Sequence, residues 1–175
     1  QIDSNTSIEK IFQELSQSGG FESVNLSDGL EILTEMIPDD KCLKFISFVG
    51  AIVSTGLRGI IKDMMKNKWF DVGITTCGAL DHDIARHFSH YNEGSFTMDD
   101  MELANQHIHR LGNVLVPMDS YGPLIEEKMT AFLEEEYAAG VREMNTAEIC
   151  KMIGKHLGED SFLYWAYKND ISIVV

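Results

Sequence analysis

Asp81, His82 and Asp83 stand at consecutive positions just after the small residues Cys77, Gly78 and Ala79, inside the stretch TTCGALDHDIARHFSHYNEG from Thr75 to Gly94. Carboxylates at the start of a helix suit its positive end, and the same charges suit a cationic ligand lying in a crevice. Residues without bulk let a flat group approach the backbone. A neutral imidazole at His82 can accept a ribose hydroxyl or bind an amine nitrogen, whereas a protonated one repels a cation, so binding there depends on pH near neutrality. Asp83 has a plainer reading as a helix cap or as the partner of Arg86 or His87. A metal centre does not follow from His82, His87, His90 and the two acids: five residues apart on a helix, His82 and His87 point roughly 140° away from each other. Cys77, at a helix start that lowers thiol pKa, is open to a nucleophile's role, but no histidine is committed to it by local pattern.

These residues need a scaffold. Phe70 to Thr75 is a short β-branched run, and Cys42 to Val49 another; Ser54 to Lys66 and Leu80 to Phe88 read as the helices that follow them. Asn113 to Val116 reads as a further strand closed by Pro117, followed by helices over Pro123 to Ala139, Thr146 to Leu157 and Ser161 to Lys168, and by a terminal strand from Ile171. The alternation predicts an α/β fold, a Rossmann-like open parallel sheet with helices on both faces. Residues 1–40 form a helical N-terminal region, with helices from Thr6 to Gln17 and from Ser27, as N-cap, to Met36, and no linker divides the chain. Ligands in such sheets lie beyond the carboxyl ends of the strands. Two such ends carry small residues, Gly50 to Gly56 and Thr75 to Gly78, although neither is a GxGxxG fingerprint. Trp165 and Tyr164, His107 and His109, and the nine methionines read as packing or ordinary surface.

Composition narrows the chemistry. With 175 residues and 44% apolar content the chain can bury a core, and 28 acids against 14 Lys plus Arg leave a formal charge of -14. That charge argues against nucleic acid and favours cationic partners, or simply solubility. Cys42, Cys77 and Cys150 show no paired spacing, which fits a reducing cytoplasm, and no eighteen-residue apolar run suggests a membrane span. Gln1 stands where a methionine would begin a complete chain, and a strand that ends at Val175 lacks its exit loop, so residues are expected beyond both ends.

The Asp-His-Asp block, with EGSF (Glu93 to Phe96) and HRLGNVLVP (His109 to Pro117), resembles the deoxyhypusine synthase family from about Lys44 to Val175. The resemblance implies that residues 1–175 are the N-terminal part of one NAD-binding domain whose C-terminal half supplies the catalytic lysine, so that no catalytic residue lies in this chain and the fragment alone is inactive. It implies NAD as cofactor, spermidine as substrate, and transfer of its aminobutyl group to one lysine of the hypusine-containing translation factor, in a cytoplasmic tetramer. By the same resemblance Gly50, Ala51, Ser54, Thr76, Cys77, Gly78 and His82 face the cofactor, and Asp81 and His82 the substrate. Gly50 and Ala51 depart from the polar residues common at their positions, and Cys77 replaces an alanine. Two other readings stay open: a homospermidine-forming enzyme, and a catalytically silent subunit beside an active paralogue. Three origins of the break stay open: cleavage after Val175, at the serine or proline the family would place next; a separate second chain; and a sequence that is simply a fragment of the longer protein, which is the default.

Overall fold

The computed structural model describes Asp3 and residues 5–175; the position of Gln1 lies outside the described residues. Two compact units, Gln1–Lys44 and Phe45–Val175, divide the chain. In the first, α1 (Ile8–Ser16) starts where the Ser7 hydroxyl accepts the Lys10 N–H at 3.2 Å, and α2 (Glu22–Met36) follows the break at Gly19 and Gly20. Neither helix holds a buried residue. Ser27, read from sequence as an N-cap, lies inside α2 instead, because the glycine pair lets the helix begin six residues sooner at Glu22.

The second unit runs β1 (Phe45–Ser47), a 3-10 turn (Gly50–Ser54), α3 (Leu57–Lys66), β2 (Val72–Ile74) and α4 (Cys77–Phe88). It continues through β3 (Asn92–Glu93), α5 (Asp100–Asn105), β4 (Ile108–Leu111), β5 (Val114–Pro117) and a second 3-10 turn (Met118–Ser120). Three helices, α6 (Gly122–Ala138), α7 (Thr146–His156) and α8 (Phe162–Lys168), lead to β6 (Ser172–Val174). β1, β2 and β6 form a parallel sheet in that order, with Ile46, Gly73 and Ile173 in one register row. Those three residues point to the core, where Met65, Ile84, Ile153, Phe162 and Leu163 are almost wholly removed from water. Each such side chain contributes about 1.5–3 kcal/mol by burial.

Two expectations are corrected. Helices pack on one face of this parallel sheet, whereas Phe45, Ile74 and Val174 leave the other face 54%, 44% and 38% exposed. Right-handed crossovers that always step the same way, β1 to β2 to β6, lay every connecting helix on the same side; a second layer needs strands that step the other way. The strand at Asn113 to Val116 is not part of the parallel sheet either. As β5 it sits between β3 and β4 in a separate antiparallel sheet, because Gly112, at φ +65°, and Asn113 close a two-residue hairpin between β4 and β5.

Candidate functional site

The carboxyl ends of β1 and β2 are tied together. The Phe48 N–H donates to the Ile74 carbonyl at 3.1 Å, and the Thr75 hydroxyl donates to the Phe48 carbonyl at 2.7 Å. From there the chain enters the Gly50–Ser54 turn on one side and α4 on the other, and the two segments touch. The Gly50 N–H donates to Thr76 Oγ1 at 3.0 Å. A β-carbon on Gly50 would lie 2.5 Å from the Ala79 nitrogen and 2.7 Å from the Gly78 carbonyl carbon, so only glycine permits this approach.

The contact sorts the residues singled out by sequence. Ala51, Thr76 and Cys77 are exposed and Gly78 is half-buried, with nothing nearer than 3.9 Å to the place its β-carbon would take, so the backbone face there is open. The Thr76 hydroxyl, which would otherwise cap α4, is occupied by Gly50; in the first turn of α4 the Ala79 N–H donates to the Thr76 carbonyl at 2.9 Å, while those of Cys77 and Gly78 have no carbonyl behind them in the helix. The buried Ser54 hydroxyl donates to the Ala51 carbonyl at 2.7 Å, leaving only its lone pairs for anything else. Asp81 follows Cys77 by four residues, which puts its half-buried carboxylate one turn further along the same face of α4.

Two tyrosines hold Asp81 and His82. The Tyr121 hydroxyl donates to Asp81 Oδ2 at 3.0 Å, and the Tyr91 hydroxyl lies 3.0 Å from His82 Nδ1. The Tyr121 ring also packs against the imidazole, tilted at 41° with centroids 5.3 Å apart. Burial and the adjoining Asp81 carboxylate push the Tyr121 phenol up to about 12, so it is a neutral donor at physiological pH. Burial lowers the His82 imidazole below its ordinary value; Asp81 pulls the other way and Arg86 adds to the lowering. A cavity of about 330 Å³ opens beside this group, lined by His82, Tyr121, Val116, Leu111, His109 and Arg110. His82 therefore faces the antiparallel sheet, while Cys77 and Gly78 face out beyond the parallel one.

Asp83 belongs to the core. Its carboxylate accepts from Arg58 Nε at 2.7 Å, from Ser161 Oγ at 2.6 Å and from the Leu163 N–H at 3.1 Å, locking α4 to α3 and to the start of α8. Burial pushes this carboxyl up, and the Arg58 guanidinium, Ser161 and Leu163 oppose it. The neighbours expected to pair with it go elsewhere: Arg86 NH1 donates to the Val53 and Thr55 carbonyls, and His87 Nδ1 lies 2.6 Å from Asp160 Oδ1. Imidazoles at positions 82 and 87 thus have separate partners, as their angular separation on the helix requires.

Tyr91 and Tyr121 were not legible in the sequence. They lie 9 and 40 residues from their partners, and nothing in local spacing marks either one.

Comparison with known proteins places this architecture. The family model for deoxyhypusine synthase matches residues 10–175. A protein described as a probable deoxyhypusine synthase in Thermoplasma volcanium is 47% identical across all of this chain, which covers 56% of that relative. One of the same description in Picrophilus torridus is 43% identical over 99% of the chain and 56% of its own length. The chain thus spans about half the length of the relatives it matches. A crystal structure of a protein assigned as a deoxyhypusine synthase from Entamoeba histolytica superposes with a TM-score of 0.67 at 19% identity, covering 99% of this chain and 59% of that one, which is a likeness of fold. The chain belongs to the deoxyhypusine synthase family.

Proposed function

We propose that this chain is the cofactor-facing part of an NAD-dependent enzyme that moves the aminobutyl group of spermidine to one lysine of the hypusine-containing translation factor. The observation that carries the reading is the direct contact of Gly50 with the start of α4, which puts the open backbone of Cys77 and Gly78 beside the Asp81 carboxylate. The fit to a dinucleotide rests on that exposed backbone and on the positive end of α4; Ser54, Thr76 and Gly50 shape the floor, and Ala51 borders it. When bound, NAD accepts a hydride from the carbon beside the secondary amine of spermidine and later returns it.

The residues of the chain bind and balance charge. Asp81 receives an ammonium of the substrate and stabilises the positive charge that develops as the amine becomes an imine. His82, kept neutral by burial, adds no competing positive charge. The lysine whose amine adds to that imine and expels 1,3-diaminopropane belongs to the C-terminal half found in the longer relatives, as does the rest of the site. The complete assembly is a cytoplasmic tetramer in this reading. Among the described residues no helix is long and apolar enough to cross a membrane.

The full-length protein, purified without any other polypeptide and given NAD and spermidine, should release diaminopropane and, once the translation factor is added, transfer the aminobutyl group to it. Asp81→Ala should lower kcat/KM for spermidine by about 10²-fold. Release of diaminopropane with putrescine as the only productive acceptor would replace this reading with a homospermidine-forming one, and no release would leave the silent-subunit reading.

A further inference from the structure

We infer that Tyr121 is a positioning residue for Asp81, fixing the carboxylate so that its free oxygen meets a cationic amine. The inference deepens the proposed function and rests on its assignment of Asp81 to the substrate. Tyr121 sits at the entry to α6, directly after the Met118–Ser120 turn, and its ring is half-buried. That turn is pinned to α4 because the Ser89 hydroxyl donates to Ser120 Oγ at 2.7 Å. The phenol is therefore brought to Asp81 by a fixed piece of backbone, forty residues away in sequence.

The geometry divides the carboxylate in two. Oδ2 accepts the phenol at 3.0 Å, while Oδ1, on the same half-buried group, has no hydrogen-bond donor among the described residues. Without that bond the side chain is free to rotate about its own axis, including toward the imidazole of the next residue. Because the ring of Tyr121 lies 5.3 Å from that of His82, one residue orients the acid with its hydroxyl and packs against the imidazole with its ring, tilted at 41°. Phenylalanine keeps the second contact and loses the first.

The test is a double-mutant cycle in the full-length protein with Tyr121→Phe and Asp81→Asn, read as KM for spermidine, kcat, and NAD affinity by calorimetry. Tyr121→Phe alone is expected to raise the spermidine KM about tenfold, the loss of one hydrogen bond to a charged group, and to lower kcat as well, because the same carboxylate balances the charge that develops on the substrate, with NAD affinity changed less than about twofold. In the Asp81→Asn background the same substitution should change KM less than about twofold. Equal effects in both backgrounds, or a fall in NAD affinity as large as the rise in KM, overturn the inference, since a general packing role would produce either.

A second readout needs no turnover. In protein labelled with ¹³C-tyrosine, the Tyr121 Cζ resonance, assigned by its loss in Tyr121→Phe, should move on Asp81→Asn and stay in place in Asp160→Asn. An unmoved resonance overturns the pairing whatever the enzyme does. A protein that moves the resonance but never releases diaminopropane keeps the Tyr121 to Asp81 pairing and loses the proposed reaction. Coupled KM values with a translation factor left unlabelled would change the acceptor and not the pairing.

Discussion

At the scale of single residues, the site depends on groups that tolerate no extra atoms or charges. Gly50→Ala places a methyl against the backbone of Gly78 and Ala79, which cannot swing aside as a side chain would; we expect a loss of about 1–3 kcal/mol in urea unfolding. Asp83→Ala leaves the buried Arg58 guanidinium without its main counter-charge and should cost about 3–5 kcal/mol by the same measurement. For His82 the sign of the pH effect follows from its lowered pKa. The unfolded chain takes the proton near pH 6.5 while the fold still refuses it, so the stability associated with the neutral ring is complete above that pH and is lost as pH falls through the folded value. Unfolding midpoints at pH 7.5 and 5.5 should therefore differ more in the wild type than in His82→Gln. The acid and imidazole themselves stood out in the sequence because they are adjacent. Their tyrosines and the Arg58 partner of Asp83 did not, since the fold brings them from 9, 40 and 25 residues away.

At the scale of elements, short-range pattern was a good guide wherever one helix face is apolar. α3, α4, α6, α7 and α8 fall within about three residues of where apolar periodicity places them, and Asn145 and Ser161 cap α7 and α8 with side-chain oxygens. Strand pairing was a poorer guide. Val114 to Pro117 has the composition of a buried parallel strand, yet its neighbours β3 and β4 come from flanking chain and make it antiparallel. The junction of α7 with α8 is tight: a β-carbon at Gly154 would run into the Leu163 carbonyl. Gly154→Ala should lower the thermal midpoint by several degrees, read by circular dichroism. At the same junction Asp160 accepts from His87 and Arg58. Burial would raise its carboxyl, but those two partners outweigh burial and hold it below the ordinary carboxylate value. Its contribution is present above about pH 4 and disappears as pH falls through the folded value.

At the scale of the whole molecule, the parallel sheet has one covered face and one bearing Phe45, Ile74 and Val174. Residues 1–175 on their own should bind an apolar dye through that face, and Ile74→Thr should reduce the fluorescence while leaving the unfolding midpoint nearly unchanged. The sheet's handedness and strand order follow from general rules of connection, whereas the bare face depends on how far along the sheet this stretch of chain reaches, which no local pattern encodes. The contact between Gly50 and α4 has a consequence on the same scale. Because the two loops are already in van der Waals touch, and each is hydrogen-bonded through Thr76, the floor beneath a ligand is preset rather than assembled around it. Association should then spend little entropy on ordering that backbone, and free and occupied forms should superpose there to within about 1 Å.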